Sequence, residues 1–224
     1  MIKLNSVNRG SVVHQIIKSV QQAISNKELK PGDPFPSENE MVKSLGVSKS
    51  SVREAVKMLE AMNVVTIQKG EGTFVCSSMD NELINPMLFT LLLQQEPSEK
   101  VVELRLMFEP AYSLLAMENQ QPEDIEIIQS TIDAFGVALK SGTLTVDHDM
   151  AFHRAVLEAT HNNFVIKIGK VILELFVASV KDGLFDEPKR SLYHHERILD
   201  ALVKRDDAVL RETISHSVQW WKRF

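Results

Sequence analysis

The 224-residue sequence predicts a mainly α-helical chain in two parts. Apolar residues recur at helical spacing over most of its length, and only two short runs near residue 70 are β-prone. The first part orders its elements as helix, helix, tight turn, helix and β-hairpin. The second part has helical patterns bounded by Pro, Gly, Asn or Asp. We therefore predict an N-terminal winged helix-turn-helix and a C-terminal antiparallel all-α bundle.

The N-terminal part begins with an amphipathic helix over residues 11–25, followed by a loop rich in Pro and Gly. Ser37 and Glu40 are spaced as a capping box, which predicts a short helix over residues 37–44. Gly46 is expected to end that helix in a left-handed conformation. The inward stripe of the first helix is predicted to be Val12, Ile16, Val20, Ala23 and Ile24.

A second helix of the turn is predicted over residues 49–62, with Ser48 as its N-cap. Two β-prone runs, residues 64–68 and 73–75, follow it and form a hairpin. This order is typical of a winged helix-turn-helix, whose second helix can enter a DNA major groove about 12 Å wide. The residues of that helix expected to face inward are Val52, Val56, Leu59 and Met62.

From residue 85 onward the pattern predicts helices and no convincing strand. The domain boundaries are accordingly predicted at residues 1–76 for the winged unit, 77–84 for a linker and 85–224 for the bundle. Six helices are expected in the bundle, over residues 99–119, 122–141, 146–161, 164–184, 191–204 and 207–222.

Charge is distributed unevenly between these parts. Residues 1–76 carry 10 Lys and Arg against 7 Asp and Glu, whereas the rest of the chain carries 15 against 23. A mildly basic unit on an acidic body suits a DNA reader joined to a sensing domain. Cys76 is the single cysteine, which excludes an intrachain disulfide and fits a reducing cytoplasm. The sequence has neither a signal-peptide pattern nor an apolar run of the roughly 18 residues that a membrane span needs.

Several spaced blocks then point to a family. They are FPSENE at residues 35–40, LGVSKSSVREA at 45–55, LE at 59–60 and GEGTFV at 70–75. In this order they resemble the GntR family of regulators, and the C-terminal part resembles the FCD ligand-binding domain of the FadR subfamily. The resemblance implies a homodimeric repressor of double-stranded operator DNA, modulated by a small carboxylate metabolite such as a sugar acid.

The resemblance also assigns residues to the DNA. Arg53 can fork onto guanine O6 and N7, or onto a phosphate. Family members often carry Arg at the positions of Asn39 and Lys49, so the operator sequence is expected to differ from that of well-known relatives. The implied DNA contacts are Asn39, Ser48, Lys49, Ser50 and Arg53, with Lys69 and Gly70 at the wing tip.

A metal site is predicted in the bundle. Asp149 and His153 are four residues apart and share a helix face, while His195 and His216 lie on two later predicted helices. One carboxylate and three imidazoles suit a divalent ion such as Zn, Ni or Mn, with open positions left over. The resemblance to metal-binding FCD domains points the same way. The spacing from His195 to His216 is one residue short for the family, which leaves the choice between His194 and His195 open.

An effector site is predicted beside the metal. Arg105 stands among apolar and aromatic residues of its helix, and a buried arginine needs an anion. That anion is either Glu109, four residues on, or a ligand carboxylate held bidentately. The resemblance favours the ligand, and it places Asn162 in the same effector site.

Two other functions fit parts of the sequence. A metal held by one aspartate and three histidines could activate water for hydrolysis, although no obvious general base stands beside the motif. An FCD regulator could instead sense acyl-CoA without a metal, and the intact donor set of Asp149, His153, His195 and His216 argues against this.

Overall fold

The structure is a computed structural model that describes residues 10–77, 86–94 and 98–220. Contacts divide the chain into two compact units, Met1–Pro86 and Met87–Phe224. The predicted linker, residues 77–84, lies outside the described residues except for Ser77.

Three helices surround the core of the first unit: α1 (Gly10–Ser25), α2 (Glu38–Leu45) and α3 (Lys49–Ala61). α3 packs against both α1 and α2. Their apolar side chains recur every three or four residues, so each helix turns one stripe inward. The buried core consists of Val13, Ile16, Val20, Phe35, Met41, Val52, Ala55, Val56, Leu59, Val65 and Val75.

The predicted capping box opens α2. Ser37 Oγ accepts a hydrogen bond from the Glu40 backbone N–H at 3.3 Å, and the Ser37 backbone N–H donates to Glu40 Oε2 at 2.8 Å. Gly46 follows the helix with a φ of 65°, in the left-handed region that favours glycine. These two ends fix where α2 starts and stops, and therefore where the turn into α3 lies.

A hairpin completes the first unit. β1 (Val65–Gln68) pairs antiparallel with β2 (Gly72–Val75), and Gln68 lies opposite Gly72. The loop before α2 runs along β2, since the Phe35 backbone N–H donates to Thr73 O at 2.7 Å. On the other side of the hairpin, β1 packs against α3. The hairpin is therefore held by the loop along β2 and by the helical core along β1.

Two details of the first unit differ from prediction. In α1 the buried stripe is Val13, Ile16 and Val20, whereas three of the predicted positions are only half-buried: Val12, Ala23 and Ile24. Met62 is exposed, because α3 ends at Ala61 and Met62 is its C-cap residue rather than a position on its buried face.

The second unit is helical throughout its described residues. All six predicted helices are present, and the short α4 is additional. The predicted end of the last helix at residue 222 lies outside the described residues. The helices are α4 (Pro86–Leu92), α5 (Ser98–Asn119), α6 (Pro122–Ser141), α7 (Val146–Glu158), α8 (Asn163–Asp186), α9 (Pro188–Lys204) and α10 (Asp207–Trp220).

Helix α5 is central to this bundle, since it packs against α7, α8, α9 and α10. α6 packs against α7 and α9. α7 is shorter than predicted because the chain turns at His161, which has a φ of 47°. The arrangement brings the inner faces of α5, α7 and α9 to a common interior. No helix among the described residues is long and apolar enough to cross a membrane.

Ser37→Ala should destabilise α2 locally. The substitution removes the acceptor for the Glu40 N–H, which costs about 1 kcal/mol at an N-cap. We expect α2 amides to exchange hydrogen about fivefold faster, measured on the full chain by mass spectrometry. Ser19→Ala is the matched control, because the exposed Ser19 hydroxyl donates to Gln15 O within α1 and caps no helix. Unchanged exchange in α2 would contradict the capping role.

Candidate DNA interface and candidate metal centre

Helix α3 starts with a group of hydroxyls. Ser48 is its N-cap, and Ser48 Oγ accepts a hydrogen bond from the Ser51 backbone N–H at 3.2 Å. The hydroxyls of Ser50 and Ser51 both lie 2.9 Å from Ser48 Oγ. Exposed N–H groups and the helix dipole make such an N-terminus favourable for a phosphate. Ser48 and Ser50 are therefore together at an end of α3 that can meet a DNA backbone.

Two polar contacts join α2 to α3. Lys49 Nζ donates to Asn39 Oδ1 at 3.1 Å, so two of the predicted DNA-contact residues lie side by side. Arg53 donates from Nε to Glu38 Oε1 and from Nη2 to Glu38 Oε2, both at 3.2 Å. The hydrogen bond from Arg53 lowers the pKa of Glu38 below the ordinary value of a glutamate.

The pairing of Glu38 with Arg53 is not among the features that the sequence predicts. From the sequence, Glu38 is recognisable only as an acidic residue in the first turn of α2. Its distance of 15 residues from Arg53 fits no single-helix spacing, because the pair crosses the turn between two helices.

The predicted wing residues lie at the tip of the hairpin. Lys69 and Gly70 are both exposed in the loop between β1 and β2. Gly70 has a φ of 86°, a conformation that side chains rarely adopt. The tip is thus a short, exposed turn that carries one cation, Lys69, and one anion, Glu71.

In the second unit, three of the four predicted metal ligands lie together. One ligand atom from each of Asp149, His153 and His195 falls within 4.8 Å of the others, and all three residues are buried. His153 Nε2 lies 3.6 Å from Asp149 Oδ2, and His195 Nε2 lies 3.3 Å from Asp149 Oδ1. The two imidazoles thus direct the same type of nitrogen at one carboxylate.

Helix α5 supplies a second layer behind this group. His153 Nδ1 lies 3.0 Å from Glu109 Oε1 and 3.3 Å from the Tyr112 hydroxyl. Arg105 in turn donates from Nε and Nη2 to Glu109 Oε2, at 3.4 and 3.3 Å. A carboxylate on the far nitrogen of a ligating histidine fixes the ring orientation and raises its basicity. Glu109 stands in that position relative to His153.

Burial and charge set the protonation of the two histidines in opposite directions. Burial opposes a charge on His153, but the carboxylates of Glu109 and Asp149 outweigh it and raise the pKa to about 9. Burial lowers the pKa of His195 to about 3. The ring of His195 stacks on Phe152 with 4.0 Å between centroids, which holds it in place.

His216 does not join the group. It lies exposed on α10, where the buried positions are Leu210, Thr213, Ile214 and Val218. His216 follows the buried Ile214 by two residues, which corresponds to a rotation of about 200° around the helix axis. His216 therefore faces away from the core. The set that the structure assembles is one carboxylate and two imidazoles, and the predicted fourth ligand is not part of it.

The structure places His195, and not His194, in the donor group. His194 is buried as well, and burial lowers its pKa to about 4. Among the described residues, neither of its ring nitrogens has a hydrogen-bond partner.

The two predicted effector residues have local partners. Arg105 forms its ion pair with Glu109, which was the alternative to a ligand carboxylate, and its guanidinium lies 5.1 Å from the centre of the Phe176 ring. Asn162 caps α8, since its Oδ1 accepts from the backbone N–H groups of Phe164 and Val165 at 3.0 and 3.3 Å.

The donor group fits a divalent ion with open coordination positions. Asp149 Oδ2 is buried and negatively charged, and the His153 imidazole lies 3.6 Å from it, which is too far for a hydrogen bond; among the described residues no donor reaches this oxygen. A buried, unsatisfied carboxylate oxygen is costly unless a cation or donor meets it. Two imidazoles and a carboxylate are common ligands of zinc and its neighbours.

Comparison with known proteins identifies the same two parts. The chain matches the bacterial regulatory proteins of the gntR family over residues 13–75 and the FCD domain over residues 100–219. The HTH-type transcriptional regulator LutR of Bacillus subtilis (strain 168) is 32% identical over 192 residues, which cover 83% of this chain and 88% of LutR. The HTH-type transcriptional repressor NanR of Cronobacter sakazakii is 27% identical over 205 residues, covering 88% of this chain and 79% of NanR.

The solved structure of Streptococcus agalactiae GntR has the same fold. It is 19% identical, with a TM-score of 0.66, and the match covers 95% of this chain and all of that one. The family and the relatives are transcription regulators and not enzymes, so the hydrolase alternative is not supported. The helix-turn-helix, the helical bundle and these matches together establish that the chain belongs to the GntR family of bacterial transcription regulators, with an FCD domain as its C-terminal part.

Proposed function

We propose that the protein is a homodimeric repressor that releases a palindromic operator when a small carboxylate metabolite binds at a metal ion in its FCD domain. The observation that carries this proposal is the buried group of Asp149, His153 and His195, backed by Glu109 and Arg105. A structural core seldom buries so many charged groups together, because each must be compensated.

The DNA-binding half of the proposal rests on α3. Lys49 and Arg53 are exposed near its start, beside the hydroxyls of Ser48 and Ser50. Cations and helix N-terminal N–H groups bind phosphates, and an arginine fork can read guanine. A symmetric pair of such helices requires two matched half-sites, which is why we expect a homodimer on a palindrome.

The effector half rests on charge balance. A divalent ion beside Asp149, together with the Arg105–Glu109 pair, leaves one net positive charge when both histidines are neutral. An anion would neutralise it. When bound, the ion supplies a Lewis-acidic position for a carboxylate oxygen. His153 and His195 would hold the ion, and Glu109 would orient His153. This charged interior favours a metal-dependent sensor over the metal-free acyl-CoA sensor.

Regulation needs a difference in effector affinity between two arrangements of the dimer. An effector that binds both equally changes nothing, and typical coupling is about 1–3 kcal/mol. The natural route to the DNA-binding unit runs back along the chain from α5, which carries Arg105, through α4 to the predicted linker at residues 77–84.

Arg53→Ala should weaken operator binding about 5- to 150-fold, because it removes about 1–3 kcal/mol of contact energy. Two chains should bind each palindrome. Fluorescence anisotropy at fixed salt measures both values. Arg211→Ala is the matched control, since Arg211 pairs with Asp207 on the exposed surface of α10 in the other unit. Equal affinities of wild type and Arg53→Ala would remove Arg53 from the interface.

Protein purified without chelator should carry about one divalent ion per chain, measured by elemental analysis. His153→Ala should lose the ion, because a three-ligand site has no replacement donor. His216→Ala should retain it, since His216 is exposed on α10. Chelator should lower the melting temperature of wild type and of His216→Ala, but leave that of His153→Ala unchanged. Wild type without metal, even after reloading, would end this part of the proposal.

An effector from a panel of sugar acids and short hydroxy acids should raise the melting temperature of the metal-loaded protein by mass action. It should also change operator affinity about 5- to 150-fold. Arg105→Lys keeps a cation for Glu109 but loses the fork. We therefore expect this variant to keep its metal and its operator affinity, yet to need at least about tenfold more effector. An unchanged effector response would assign Arg105 to the Glu109 pair alone.

A further inference from the structure

The contact between Glu38 and Arg53 has a specific geometry. Glu38 uses both carboxylate oxygens, one on Nε and one on Nη2, at equal distances of 3.2 Å. A guanidinium offers its N–H groups in a rigid fork, along a side edge of Nε and Nη2 and an end edge of Nη1 and Nη2. The carboxylate therefore takes the side edge, while Nη1 and the second N–H of Nη2, which together form the end edge, take no part in the pair.

This pairing has a consequence for DNA recognition. An arginine reads guanine by pointing two parallel N–H groups at O6 and N7, and either edge can do so. When Glu38 occupies the side edge, the end edge is the one left for a base. The bidentate contact also orients the plane of the guanidinium, because both bonds form together only in one orientation of its N–H groups. The arginine is then partly ordered before DNA arrives.

Glu38 is itself held firmly. It is the first residue of α2, directly after the N-cap Ser37, whose capping box with Glu40 fixes that end of the helix. Arg53 is one turn into α3, and α2 packs against α3. An acidic residue in the first turn also stabilises a helix through the dipole, but that effect needs no contact with Arg53. The two-oxygen fork is the observation that separates the two explanations.

We propose that Glu38 is a positioning residue for operator recognition, which holds Arg53 so that its end edge reads the base pair. The inference rests on the proposed contact between Arg53 and the operator. It assigns to Glu38 a contribution to sequence discrimination and none to general DNA affinity. A carboxylate near phosphates in fact opposes non-specific binding, because that binding depends on positive charge.

The test uses the full-length protein and four variants: Arg53→Ala, Glu38→Gln, the double variant, and Glu54→Gln. The operator is the palindrome that wild type selects from random duplexes, and the comparison duplex is the same sequence scrambled. The measured quantity is the ratio of the two affinities. Glu54 lies next to Arg53 on α3 and is exposed, so Glu54→Gln removes the same charge close to the same helix.

We expect Glu38→Gln and Glu54→Gln to raise affinity for the scrambled duplex by similar factors. Only Glu38→Gln should lower the affinity ratio, by about fivefold, the lower end of what a bidentate guanine contact supplies. When operators changed at single base pairs are compared, Glu38→Gln should lose discrimination at the same base pair as Arg53→Ala. In the double variant the ratio should equal that of Arg53→Ala, because Glu38 acts through Arg53.

The outcomes separate this inference from the proposed function. If Arg53→Ala leaves both affinities unchanged, the proposed contact between Arg53 and DNA is wrong. If it lowers both affinities by the same factor, Arg53 binds a phosphate and the inference about Glu38 is overturned. If Arg53→Ala lowers the ratio while Glu38→Gln leaves it at the wild-type value, Glu38 is a helix-end residue only, and the inference is overturned. A rise of the ratio in Glu38→Gln would also overturn it, since Glu38 would then compete with the operator for Arg53.

Discussion

Four charged side chains alternate in sign through the interior of the helical bundle: Arg105, Glu109, His153 and Asp149. Removing any one of them leaves an uncompensated buried charge, which costs about 3–5 kcal/mol. The row joins α5 to α7, and His195 extends it to α9. The relative positions of three helices therefore depend on a set of electrostatic contacts, and an ion that enters among them changes the balance of charge between those helices.

The first unit uses charge differently. The Arg53–Glu38 pair is solvent-exposed, with side-chain exposures of 58% and 32%, so salt screens it and its contribution to stability is small. What a bidentate pair can provide at such a site is orientation. The charges of the buried row interact strongly because the dielectric constant of the interior is low. The exposed pair contributes little energy and instead orients the arginine.

Much of this architecture is predictable from local sequence. Ser37, Glu40, Gly46 and Ser48 define the ends of α2 and α3 because caps depend on neighbouring residues only. The spacing of Asp149 and His153 likewise places them on one face of α7. Helix α4 was missed, since seven residues are too few to show a helical period.

The remaining features depend on how helices pack, which a single sequence does not encode locally. His216 was predicted to face the interior, but the helical phase of α10 is set by Leu210, Ile214 and Val218. Glu109 was weighed as a partner for Arg105, yet its contact with His153 crosses between two helices. Glu38 meets Arg53 across a turn for the same reason.

The outward position of His216 has an evolutionary consequence. Helix α10 meets α5 and α9 through apolar side chains, so substitutions there are limited by volume and helical period, and swaps such as Leu to Met are tolerated well. The proposed ion site instead requires positions 149, 153 and 195 to keep their donor atoms. In sequences that keep this donor group, we therefore expect α10 to vary at its exposed positions, including that of His216, while its buried stripe of Leu210, Ile214 and Val218 keeps its volume.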